Sequence, residues 1–179
     1  FYVVQAQLAL QADSLETAMR FCREALAIDA ESAAAMAVMG RVLNQQGEPE
    51  KAVTAYERAI ATQPNHSLAF LYRGLGAWEE NDMQAAVADL QRAVQLNPNS
   101  IRARQALVQV LNALGRSTEA DEQLANIHFN RGVNYEIMRQ WDAALDEFQK
   151  AAELDPVNGR YIAAEGLMLL KKDLETEAE

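Results

Sequence analysis

Catalysis needs a nucleophile, a base or a metal held by a rigid scaffold, and this chain of 179 residues offers few groups able to serve. Cys22 is its single cysteine, and His66 and His128 are its two histidines. One thiol excludes a disulfide framework, and one thiol with two imidazoles cannot furnish a thiolate or imidazole metal cage. Gly74-x-Gly76 has the outline of a phosphate loop, but it falls inside a helical pattern with no strand before it. Glu79, Glu80 and Asp82 bring carboxylates together around a turn, where solvation is their expected role. Ser14, Ser32, Ser67, Ser100 and Ser117 are the five serines. Each stands where a helix should start and where a hydroxyl can accept a bond from an orphaned backbone N–H. None is then left over as a nucleophile. The expectation is a protein without catalytic residues, cofactor or metal.

The elements that would position these residues follow from a repeat. Alanines recur at Ala18, Ala52, Ala86 and Ala120, and a second series runs Ala25, Ala59, Ala93. Glycines fall at Gly40 and Gly74, and prolines at Pro64 and Pro98. All four series share a spacing of 34 residues, a helical-repeat period. Each unit reads as two amphipathic helices of roughly 12 to 15 residues joined by a short polar turn, with no competing strand pattern. The turns are Gln11-Ala12-Asp13-Ser14, Gln46-Gly47-Glu48-Pro49, Asn81-Asp82 and Leu114-Gly115-Arg116-Ser117. Gly or Asn can end a helix in the left-handed conformation, and Pro49 suits a first helical turn.

Composition narrows the function classes. Sixteen basic residues stand against 26 acidic ones, a net charge of −10, which disfavours the clustered Lys and Arg that grip a nucleic-acid backbone. No run of 18 apolar residues exists, because Arg, Glu or Gln interrupts every apolar segment, so a bilayer span is not expected. The chain begins with Phe1. A leader, anchor or further domain could precede it, and compartment is left unassigned.

The unit resembles the tetratricopeptide repeat, whose signature is a large residue, then Leu-Gly, Tyr, Ala, Phe, Ala and Pro at fixed places in 34 residues. A unit starting near Ala33 supplies Gly40, Ala52, Tyr56, Ala59 and Pro64. One starting near Ala125 supplies Gly132, Tyr135, Ala144, Phe148, Ala151 and Pro156. The unit between carries Phe70, Gly74, Ala86, Ala93 and Pro98, with Leu90 in the Phe slot. The first unit keeps Tyr2, Ala18 and Ala25 and has Cys22 in the aromatic slot, where a packed thiol is expected; it is either a divergent first repeat or the edge of a longer array. The resemblance implies an all-α fold, a right-handed superhelical solenoid of antiparallel helix pairs with about five repeats and a C-terminal capping helix. The units would be about 1–32, 33–66, 67–100, 101–124 and 125–158, within a single array over 1–179, with the cap at 159–176. Small residues at the Gly and Ala slots let paired helices approach, and the aromatic fills the gap between units. The 33 alanines, about twice the average share, become a packing requirement. The acidic tail Glu175, Glu177, Glu179 reads as a solvated end.

One irregularity interrupts the register. The signature glycine after the slot at Val108 is Gly132, ten residues early, and the shortfall lies after Ala120 and Leu124, where no turn is written. Two explanations compete. A loop is absent between residues 124 and 127, or the helices fuse into one rod from about Ser117 to Arg139; the first is favoured.

Function should then lie on the first helix of each unit, which in this family lines a groove. Its slots here include Val38, Arg41 and Asn44, then Leu68, Leu71, Tyr72, Leu75 and Trp78, then Arg102, Gln105 and Gln109, and Phe129. The Lys, Asn and Arg set with which some family members clamp a carboxylate is absent. An aromatic and aliphatic patch with Arg41 and Arg102 at its edge has the composition of a binding hot spot and fits an amphipathic helix or extended peptide. The expected partner is a protein or peptide with apolar anchors and acidic flanks, and not nucleic acid. Two alternatives stand beside this adaptor reading: a docking or regulatory domain of a larger enzyme, and a self-assembling structural protein in which copies form homo-oligomers.

Overall fold

A computed structural model describes residues 1–176, with side chains through Lys172; the acidic tail residues named above lie outside the described side chains. Ten α-helices and no strand are found among the described residues. In order they are α1 (Tyr2–Gln11), α2 (Leu15–Ile28), α3 (Ala33–Gln45), α4 (Pro49–Thr62), α5 (Ser67–Glu79), α6 (Met83–Leu96), α7 (Ile101–Ala113), α8 (Ser117–Ile137), α9 (Trp141–Leu154) and α10 (Gly159–Thr176). The chain divides into two compact units, Phe1–Ala103 and a second from Arg104, with the division inside α7.

In the first unit α1 packs on α2, α3 on α4 and α5 on α6, and α3 also meets α2 and α5. The glycine slots explain how closely these helices approach. A Cβ on Gly40 would lie 2.5 Å from Tyr56, and one on Gly74 would lie 2.9 Å from Leu90, so no larger residue fits either place. Tyr56 and Leu90 are buried beneath those glycines, as is Cys22 in the matching slot of the first pair.

The turn inside each helix pair is built one way five times. The second residue past the first helix takes a left-handed φ: Asp13 55°, Gly47 78°, Asn81 62°, Gly115 70° and Arg139 57°. The next N–H then reaches back to the carbonyl five residues earlier, as from Ser14 to Ala9 at 2.8 Å and from Gln140 to Tyr135 at 2.9 Å, closing the helix end. Pro49 opens α4 at its first turn as expected. The serines are a correction. Ser14 and Ser32 precede helices without making a side-chain cap bond, whereas Ser100 Oγ does accept the Ala103 N–H at 3.2 Å. The cap on α6 comes from Asp82, whose carboxylate accepts the Ala85 N–H at 3.0 Å.

The irregular register also resolves against the favoured expectation. No break separates residues 124 and 127, because α8 runs unbroken for 21 residues, Ser117–Ile137. It fuses the second helix of one unit to the first of the next, a rod of about 30 Å. Ala120 and Ile127 are buried in one row of this rod, and Ala125, Phe129 and Gly132 in another. Rows that begin five residues apart are rotated by about 140° on a helix, so one rod presents apolar stripes in two directions. The second stripe pairs with α9, where a Cβ on Gly132 would meet Phe148 at 2.6 Å. Beyond α9, α10 closes this core with Tyr161 and Met168, both 1% exposed.

Candidate partner-binding surfaces

In the first unit, α3 and α5 lay the expected groove residues side by side, and packing divides them. Val38, Leu71 and Tyr72 are 0%, 4% and 1% exposed. Val38 and Tyr72 offer no area to a partner, and Leu71 is reached only through the cavity it lines. Leu68, Leu75 and Trp78 are half-buried. Arg41 is buried, and its guanidinium makes a two-pronged bond to Glu79 on the neighbouring first helix, at 2.7 and 2.8 Å; Asn44 donates to the same carboxylate. A planar fork matched to a carboxylate leaves no charge free to recruit an acidic ligand, so Arg41 staples α3 to α5. Arg102 is exposed, lies 5.2 Å over the Tyr72 ring and donates to its hydroxyl at 3.4 Å. Beside it, Leu68 and Leu71 line a cavity of about 250 Å³ whose other walls include Gln7, Ser67, Asn97 and Ser100.

In the second unit, Gln105 and Gln109 are exposed and edge a cavity of about 310 Å³ with Val108, Leu124, Ile127 and Arg131. Phe129 is a correction. It is 7% exposed and its ring stands 5.4 Å from both Phe148 and Tyr161, with the Arg160 guanidinium 3.9 Å over its face. It is a core aromatic.

Sequence reasoning passed over two features. His128 bonds through Nδ1 to the buried Glu147 carboxylate at 2.9 Å; the two lie 19 residues apart on facing helices, so no short motif announces them. A larger cavity, about 450 Å³, opens between α4, α5 and α6, lined by Val53, Tyr56, Ala77 and Ala85 with Glu80 and Asp82 at its polar side. Arg73 forks onto Asp89 in its wall at 2.7 and 2.8 Å, and that bond raises the already high guanidinium pKa. Gly76 was the available signal. It lies in the wall and would bring a Cβ within 3.4 Å of Asn44, so its smallness leaves room.

Titration adds no reactive group. Burial pushes the Cys22 thiol up to about 12, which holds it protonated and unreactive, and burial lowers the pKa of His66. Among the described residues no three His, Cys, Asp or Glu side chains are grouped to hold a metal. No described helix is long and apolar enough to cross a membrane.

Paired antiparallel helices, glycines held against a large buried side chain of the partner helix and left-handed turns, four of them spaced by 34 residues, define a helical-repeat scaffold. Tetratricopeptide-repeat models match residues 38–101, 77–128 and 125–156, and the chain belongs to the tetratricopeptide-repeat family, whose members serve protein–protein interaction. Over 146 residues, 81% of this chain, it is 27% identical to the probable UDP-N-acetylglucosamine–peptide N-acetylglucosaminyltransferase SPINDLY of Hordeum vulgare, and spans 14% of that protein's length. Among solved structures, Pseudomonas aeruginosa PilF superposes with a TM-score of 0.60 at 22% identity, over 99% of this chain and 86% of its own. YrrB, described as a repeat protein with an unusual peptide-binding site, gives 0.52 at 26% identity, over 92% of this chain and 90% of its own.

Proposed function

We propose that this chain is a non-catalytic adaptor whose first-helix face binds a peptide or amphipathic helix. The observation that carries this is the cavity at Leu68 and Leu71. It has an apolar floor of Leu68, Leu71, Ala93 and Ala103 and an amide and hydroxyl rim, with half-buried Leu75 and Trp78 on the same helix as the two leucines and the exposed Arg102 next in sequence to Ala103. An apolar anchor would enter the cavity while backbone amides of an extended segment meet Gln7 and Asn97, and an acidic residue beside the anchor would meet Arg102. The peptide-binding description of YrrB supports this reading. With Arg41 already paired, acidic preference rests on Arg102 alone.

The test is selection from a displayed random-peptide library, followed by titration of the selected peptides. Trp141→Phe leaves Trp78 as the single reporter of binding. The expected result is an aliphatic or aromatic anchor with a neighbouring Asp or Glu, weakened about tenfold or more by Leu68→Glu and less by Arg102→Ala. Selected peptides indifferent to both substitutions would sink the proposal. Tyr72→Ala is unsuited to this test, since Tyr72 is packed inside. A second reading, a docking module within a larger enzyme, is favoured by the match to a small stretch of a transferase. Loss of substrate capture, with turnover of a free peptide intact, on deleting this region from the longer protein would distinguish it.

A further inference from the structure

The cavity of about 450 Å³ between α4, α5 and α6 has no part in the peptide-binding reading, and it shares no lining residue with the cavity at Leu68 and Leu71. Its volume falls among those of pockets that hold small molecules. Small residues make the room: Gly76 and Ala77 on α5, and Ala85 and Ala88 on α6. With Pro49 and Val53 of α4 they give the cavity a largely apolar wall.

The polar groups of the lining are of one kind. Its nitrogen-bearing side chains are engaged within the protein: Arg73 gives Nε and Nη2 to Asp89, and Asn44 gives Nδ2 to the Glu79 carboxylate. An ionised carboxylate only accepts, so Glu79 fixes which way the Asn44 amide is turned. Asn44 Oδ1 then lies 3.4 Å from where a Gly76 Cβ would be, and makes no hydrogen bond among the described residues. Asp82 caps α6 through Oδ1 and keeps its other oxygen. The exposed Glu80 carboxylate meets no donor or cation among the described residues. Tyr56, 1% exposed, stands in the wall, and its buried hydroxyl has no hydrogen-bond partner, a want that a bound donor can meet. Charge follows the same division. Arg73 and Asp89 neutralise each other, which leaves Glu80 and Asp82 as the net charge of the lining. Two nearby cations are paired elsewhere, Arg41 with Glu79 and Lys51 with Glu48.

We propose that this cavity binds a primary ammonium group carried on a short apolar stem, with the stem against Val53, Ala77, Ala85 and Ala88 and the ammonium among Glu80, Asp82 and Asn44 Oδ1. An ammonium brings three donors, no acceptor and a positive charge to a set of acceptors that is net negative. A free alkylamine and a lysine side chain share this chemistry. Glu80 and Asp82 are exposed, so their attraction is screened, and a ligand of few atoms should dissociate in about the millimolar range.

Amide correlation spectra of the 179-residue chain, titrated with n-hexylamine, n-hexanol, hexanoate and a lysine blocked at both backbone ends, test this. Hexylamine should saturate, with shifts gathered at Val53, Ala77, Ala85 and Ala88, while hexanol binds more weakly and hexanoate not at all. Glu80→Gln combined with Asp82→Asn should weaken hexylamine about tenfold or more and leave hexanol unmoved. Asn serves as well as Asp at a helix N-cap, so helicity and melting temperature should hold. An equal loss of charge elsewhere, Glu16→Gln combined with Glu31→Gln, should leave binding as it was. Binding of the blocked lysine beside hexylamine identifies the ligand as a side chain of a partner protein, and binding of hexylamine alone as a free amine; either supports the site. Hexylamine that fails to saturate by tens of millimolar, that binds no better than hexanol, or that survives the Glu80, Asp82 substitutions overturns the proposal. Shifts spread over the whole acidic surface do the same. The Leu68→Glu protein should bind hexylamine as the wild type does, so this site and the peptide site fail independently.

Discussion

Glycine has opposite meanings at matched places in this chain. At Gly40 and Gly132 the space a methyl would need is taken by Tyr56 and Phe148, whereas at Gly166 it is empty. Alanine in a helix interior gains up to about 1 kcal/mol over glycine, and overpacking a filled core costs about 1–3 kcal/mol. Gly40→Ala and Gly132→Ala should therefore destabilise by about 1–2 kcal/mol net. Gly166→Ala should stabilise by about 0.5–1 kcal/mol. Urea unfolding followed by far-ultraviolet circular dichroism reads the signs; a loss at Gly166 would contradict the open slot. The spacing of these glycines showed in the sequence because scarce residue types stand out at long period. What lay against them did not: Val38 and Tyr72 read as groove residues from their slots alone, and their burial depends on neighbouring helices that no local pattern reports.

At the scale of elements, the links between units obey a proline rule even where proline is missing. Gln63, Asn97 and Asp155 precede prolines and adopt φ of −137°, −136° and −139°, the extended conformation a following proline enforces. Asp29 adopts −135° before Ala30. The Glu31 and Ser32 N–H groups bond to Asp29, and neither bond uses the Ala30 N–H. Ala30→Pro should consequently stabilise by about 0.4–1 kcal/mol by restricting the unfolded chain, seen as a raised urea midpoint at unchanged slope. A fall would mean that Ala30 departs from the backbone of its three counterparts. Helix boundaries were readable from the same punctuation. The fate of residues 120–127 was not, since a missing turn is equally the trace of an absent loop and of a fused helix, and helix continuity depends on how the two stripes of α8 find partners.

For the molecule as a whole, two buried acids in the first unit tie stability to alkaline pH. Burial holds the Cys22 thiol up to about 12, and burial raises the Tyr56 phenol as well. Below the pKa of about 9 that a thiol has in the unfolded chain, both states keep their protons and stability is level. Above it the unfolded state releases a proton that the folded state retains, so stability falls by as much as about 1.4 kcal/mol per pH unit per group until the folded groups ionise. Urea unfolding between pH 8 and 11 should show this decline, with a shallower slope in Cys22→Ala; equal slopes in the two proteins would remove Cys22 from the account. The fused helix α8 has a consequence of another kind. Its two stripes share one axis, so their relative direction is a phase fixed by residue count. One inserted residue between Ala120 and Ala125 would swing the second stripe by about 100°, while seven would return it to within about 20° and carry it some 10 Å further along. Length change in α8 is thus tolerated in steps of a heptad and punished between them, as in a shaft whose keyways must stay aligned.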